Sequence, residues 1–119
     1  MKSKNIIILI LFLNIGNVSS AKFKKIVLWG HKLYSHTHSF IHHGFFKAFA
    51  SLGYETYWFD KNDDISTIDF SNALFITEGQ VDQGIPLRSD CVYVLHNCDS
   101  SKYSQLPSSQ KLMLQVYTN

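Results

Sequence analysis

Hydrophobic residues fall into short, uninterrupted runs separated by polar stretches, and one stretch between them has the period of a helix. The runs are 25–30 (with Ile26, Val27, Leu28 and Trp29 in succession), 54–59, 73–77 and 92–96, with a possible fifth at 112–117. Unbroken runs rich in β-branched and aromatic residues predict strands covered on both faces, the condition of a parallel sheet. Between the first two, Ile41, Phe45, Ala48, Phe49 and Leu52 recur at steps of three and four, which predicts an amphipathic helix over 39–52. Gly53 follows, where a left-handed cap ends a helix. Residues 25–60 thus read as strand, loop, helix and strand, a βαβ unit.

The remaining segments punctuate. Residues 61–69 are polar and turn-prone, 80–90 contain Gly84 and Pro86, and 100–111 predict a short helix or loop broken by Pro107. A parallel crossover needs about 10 to 12 residues or more, and the gaps between the later runs allow it, although an antiparallel pairing of two late strands is the alternative. The expected fold is a Rossmann-like α/β domain over 22–119, an open, mostly parallel sheet of four to five strands with flanking helices. Open α/β sheets leave neither face bare. No helix follows the run at 112–117, so the expectation is the amino-terminal half of a larger protein.

Residues 1–21 have the three parts of a secretory signal: Lys2 and Lys4, the apolar run 6–13, and small residues Ser19, Ser20 and Ala21 at the cleavage positions. A membrane-spanning helix is the competing reading, but it needs about 20 apolar residues, and Asn14, Gly16 and Asn17 interrupt the run. The prediction is export, periplasmic or secretory, with the signal cleaved and no stable membrane span left.

Charge narrows the partners. Lys2 and Lys4 are two of the 11 basic residues, so 22–119 carry nine against nine acidic ones and no basic run. Nucleic acid, which demands clustered Lys and Arg, is excluded. Export raises the question of a disulfide between Cys91 and Cys98. A strand of six or seven residues spans about 20 Å, whereas a disulfide holds its Cα atoms within about 7 Å, so if 92–96 is a strand the two read as small core thiols.

Ligands of open parallel sheets bind outside the carboxyl ends of the strands. Those ends read Gly30-His31, Asp60, Thr77-Glu78-Gly79, His96-Asn97 and Thr118-Asn119, polar tips on apolar strands. Exposed loop ends without a ligand are the plainer reading of the same pattern. His31, His36, His38, His42 and His43 crowd the first loop and helix start. His38 and His42 have the i, i+4 spacing of a helical zinc site, yet no carboxylate lies nearby in sequence to orient them, so no metal is assigned. Ser35, Thr37 and Ser39 suit a helix cap, where an anion can also settle. The three-glycine dinucleotide fingerprint is missing, since the next glycine after Gly30 is Gly44, which argues against NAD or FAD; no cofactor is assigned. There is no Gly-x-Ser-x-Gly nucleophile. Glu78 and His31 are the candidate catalytic residues, and His36, His38, Asp60, His96 and Asn97 the candidate ligand contacts.

The stretch 25–60, with its first strand, polar loop, helix and Leu52-Gly53-Tyr54-Glu55 turn, resembles the start of a GT-B type glycosyltransferase. Segments 76–82 and 94–99 sit where that family's amino-terminal domain places acceptor-side loops. The resemblance implies the acceptor-side half of a sugar-transferring enzyme, inactive alone, with Glu78 or a histidine as base and a sugar or nucleotide sugar as partner. The alternative is a secreted, non-catalytic module that binds a carbohydrate or an anion at the same strand ends.

Overall fold

The computed structural model describes residues 23–32 and 39–115. The signal assigned to 1–21 and the candidate contacts His36 and His38 lie outside the described residues. The elements are β1 (Lys25–Trp29), α1 (Ser39–Ser51), β2 (Glu55–Phe59), β3 (Ala73–Glu78), β4 (Val92–His96) and β5 (Lys111–Leu114), with two 3-10 turns at Ser100–Tyr103 and Ser108–Gln110. The five strands form one open sheet in the order β2-β1-β3-β4-β5. Every pairing is parallel, so no late pair is reversed. This is a Rossmann-like α/β arrangement. The chain leaves β1 for β2 on one side and returns across it to β3, so strand order reverses between β1 and β3.

The central strands are buried because alternate side chains feed two separate cores. Ile26, Leu28, Leu74, Ile76, Val92 and Val94 meet Phe45 and Phe49 of α1 on one face. Burial of each phenylalanine contributes about 1.5–3 kcal/mol. Helix α1 ends in a Schellman turn: Tyr54 N–H donates to Phe49 O (3.2 Å) and Gly53 N–H to Ala50 O (3.0 Å), with Gly53 at φ 93°. The Tyr54 ring packs edge-on against Phe49 at 5.8 Å. The turn rotates Leu52 out of the expected stripe; it is 58% exposed. Residues 42, 45 and 49 form the buried face instead.

The opposite face differs from the expected flanking helices. Among the described residues α1 is the one α-helix, and Val27, Trp29, Phe75, Tyr93 and Leu95 are covered by side chains of connections: Ile65, Ile68 and Phe70 from 60–72, Ile85 and Leu87 from 79–91, and Tyr103 and Leu106 beyond β4. Helix-free coverage works because the loops' polar backbone is satisfied locally. Asp60, Asp64 and Asp69 each accept a backbone N–H two residues on, from Asn62, Ser66 and Ser71. Those bonds hold the Asp64 and Asp69 carboxyls below their usual range. Three buried aromatics pin the 79–91 connection by their polar tips. Trp29 Nε1 donates to Gln83 O (2.9 Å), Tyr103 OH to Asp82 Oδ2 (2.6 Å), and Tyr93 OH to Pro86 O while accepting from Arg88 N–H.

Cys91 and Cys98 are free and buried at opposite ends of β4, as the strand length requires. β5 ends at Leu114, and the Gln115 side-chain amide donates to Cys98 O (3.2 Å). The expected tip at Thr118-Asn119 lies outside the described residues. No described helix is long and apolar enough to cross a membrane.

Candidate functional site

The reversal between β1 and β3 brings two strand ends side by side, with Trp29 in register with Thr77. The Thr77 hydroxyl donates to Trp29 O (2.9 Å), locking the two tips together. Beyond them the chain turns sharply. Gly30 and His31 take the left-handed conformation in succession, φ 86° and 51°. For histidine this conformation stores on the order of 1 kcal/mol, and such strain clusters at functional sites. The turn folds the His31 side chain back over the end of β3.

There His31 Nε2 meets Glu78 Oε1 at 3.2 Å, and both residues are 4% exposed. The second carboxylate oxygen, Oε2, accepts the Gln80 N–H at 2.6 Å. Both oxygens of Glu78 are therefore engaged, and a carboxylate in that position can only accept. The contact makes Nε2 of His31 the donor and leaves the neutral ring's lone pair on Nδ1. Between the two candidates for a base, the geometry favours His31, with Glu78 orienting it.

A third polar residue belongs here that the sequence reading left out of the site. His42, 4% exposed, places its Nδ1 at 2.9 Å from Gly30 O. The same carbonyl accepts Trp58 Nε1 at 2.8 Å. The rings of His31 and His42 approach edge-on, centroids 5.3 Å apart. The signal for His42 was available: it stands three residues before Phe45 and seven before Phe49, a polar side chain on the buried stripe. Trp58, half-buried between His43 (5.9 Å) and Phe46 (6.0 Å), gave no such signal, because an aromatic in a strand is ordinary core.

The other candidates sit around this centre. His96 is the register neighbour of Glu78, and its carbonyl accepts Gly79 N–H at 3.0 Å. Asn97, at φ 51°, donates its N–H to Leu114 O (2.8 Å), and its side chain lies 3.4 Å from His96 Nε2. Asp60 ends β2 inside its own turn: Oδ1 accepts Asn62 N–H (2.8 Å), and its own N–H donates to Asp63 Oδ2 (2.8 Å). Asp63 pairs with Lys32 at 3.1 Å. The backbone N–H of Asp60, then Lys32, lower the Asp63 carboxyl's pKa.

On the far side of Glu78, the buried Asp82 gathers Tyr103 OH and Lys102 Nζ, each at 2.6 Å. Burial, then the Asp82 and Glu78 carboxylates, push the nearby Cys98 thiol up to about 12. A thiol so held is no nucleophile. Among the described residues no group of three or more His, Cys, Asp or Glu side chains is placed to hold a metal ion. The site therefore offers an oriented imidazole, a second imidazole beside it and a carboxylate behind, a set suited to hydroxyl chemistry. The chain matches no family model, no curated protein and no solved structure.

Proposed function

We propose that this domain is the acceptor-binding half of a sugar-transferring enzyme, in which His31 takes the proton of an acceptor hydroxyl and Glu78 holds the imidazole for that task. One observation carries the reading: a histidine and a carboxylate, both nearly sealed from solvent, meet at the β1/β3 reversal, where open α/β sheets bind their ligands. An imidazole is the side chain whose ordinary pKa suits proton removal near neutral pH. A nucleotide-sugar donor would be gripped by a second domain, so residues 22–119 by themselves bind acceptor without transfer. Residues 1–21 direct export in the same reading.

The test is titration of the 15N-labelled chain with methyl glycosides of glucose, galactose, mannose and N-acetylglucosamine. Shifts at residues 30–31, 78–80 and 96–97 are expected, weakened about tenfold in His31→Gln by loss of roughly one hydrogen bond. Shifts confined to other strands or edges, or none with any glycoside, overturn the reading.

A further inference from the structure

Strand β2 is an edge of the sheet, with β1 on one side only. Gly30 N–H donates to Phe59 O, so the backbone groups of Phe59 point toward β1. Backbone groups alternate sides along a strand. Those of Glu55 and Tyr57 therefore also point inward, and those of Thr56 and Trp58 point out of the sheet. No backbone bond within the described residues takes up the outward N–H or carbonyl of Thr56 or Trp58.

This open stretch is bounded at both ends. Before it, Tyr54 O accepts the Thr56 hydroxyl at 2.9 Å. After it, Asp60 N–H donates to Asp63 Oδ2 at 2.8 Å. Two residues, each with a donor and an acceptor, are left between the caps, one on either side of Tyr57. Proteins guard such edges with lysine, proline or a bulge. β2 reads Glu55-Thr56-Tyr57-Trp58-Phe59 in unbroken register, with none of these devices.

We infer that β2 pairs antiparallel with β2 of a second copy of this chain, about a two-fold axis at Tyr57. The symmetry of the edge selects that occupant. Thr56 and Trp58 stand one residue to either side of the axis, so the N–H and carbonyl of Thr56 meet those of the partner's Trp58, and Trp58 meets the partner's Thr56. Every outward group is used, as a self-complementary contact requires. Tyr57 then faces its own copy in a closely spaced pair, and Glu55 faces Phe59 rather than a second carboxylate. Residues 22–119 carry nine basic and nine acidic side chains, so two copies meet without net repulsion.

Sedimentation velocity of the chain from about 10 µM to about 1 mM, the range for a contact this small, with amide hydrogen exchange at both ends of it, tests the inference. The chain is expected to pass from monomer to dimer. The Thr56 and Trp58 amides should exchange at least about tenfold more slowly in the dimer, while those of Tyr57 and Phe59, already bonded to β1, stay unchanged. Thr56→Pro removes an outward N–H and no bond to β1, and should weaken the dimer at least about tenfold. Tyr57→Cys should link to its own copy on mild oxidation, since α-carbons about 4.5 Å apart across such a pair suit a disulfide and the native thiols are buried. A monomer at every concentration overturns the inference and leaves the edge to a foreign strand. A dimer in which Thr56 and Trp58 exchange as fast as in dilute solution overturns it too, as does folded Tyr57→Cys that does not cross-link. Should either variant fail to fold, exchange in the wild type decides.

Discussion

Gly79→Ala tests how tightly the loops at the strand ends are built. A Cβ at residue 79 would stand 2.1 Å from Asn97 O, 3.0 Å from Asn97 C and 3.2 Å from Cys98 Cα. All three are backbone atoms, so no rotamer change relieves the contact, and one loop must retreat by about 1 Å to restore ordinary separation. Retreat stretches two bonds that finish the sheet: Gly79 N–H to His96 O at 3.0 Å and Asn97 N–H to Leu114 O at 2.8 Å. Overpacking costs about 1–3 kcal/mol and the two stretched hydrogen bonds, each losing about half of its roughly 1 kcal/mol, about 1 kcal/mol together, which gives an expected loss of roughly 2–4 kcal/mol. For a domain of this size that lowers the melting temperature by roughly 10–25 °C. Gly44→Ala is the control with the opposite sign. Gly44 lies within α1 with nothing near its missing Cβ, so alanine should raise stability by about 0.5–1 kcal/mol. Urea denaturation followed by tryptophan fluorescence and circular dichroism measures both. Gly79→Ala within about 0.5 kcal/mol of wild type would refute the packing of β3's loop on β4's.

Asp82 and the cysteines supply two further predictions. Asp82→Ala strands the buried Tyr103 hydroxyl and should cost about 2–4 kcal/mol in urea denaturation, whereas Lys102→Ala, removing a 44% exposed partner, should cost less than about 1 kcal/mol. Burial pushes the Cys91 thiol up to about 11 and Cys98 to about 12. Both are raised above the unfolded value of 9.0, so the stability they contribute is whole below pH 9 and is lost as pH rises through 11 to 12. Dithionitrobenzoate at neutral pH should label neither thiol in the native protein and both in urea; rapid native labelling would contradict their burial.

The three central strands were legible because a strand buried on both faces has no polar interruption to blur it, and Gly53 marked the helix end for a conformational reason that the Schellman turn realises. Legibility failed where packing depends on isolated residues. Ile65, Ile68, Ile85 and Leu87 sit in polar segments without period, and nothing local shows that they roof the second face of the sheet. Leu52 fitted the helical period but lies beyond the last turn, so the period counted a residue the backbone had already rotated away. For the site, the chain named both His31 and Glu78 as strand tips. That they touch follows from β1 and β3 being neighbours, which the order of runs along a chain does not determine.

What places His31 is a joint at Gly30 that only glycine can make. Its N–H donates to Phe59 O (2.7 Å), tying it to the edge strand β2. Its carbonyl accepts both Trp58 Nε1 and His42 Nδ1, so its two lone pairs hold β2 and α1 at once. Its α-carbon faces Val81 of the loop after β3, where a Cβ would come within 2.3 Å of Cγ2 and 2.9 Å of the carbonyl oxygen. At φ 86° a side chain would be strained even in open space. Strand β2, helix α1 and the loop after β3 thus meet at one residue, directly before His31. The direction of that imidazole is consequently set by the backbone of the fold and then fixed by Glu78, which leaves the ring little freedom to point anywhere but across the tip of β3.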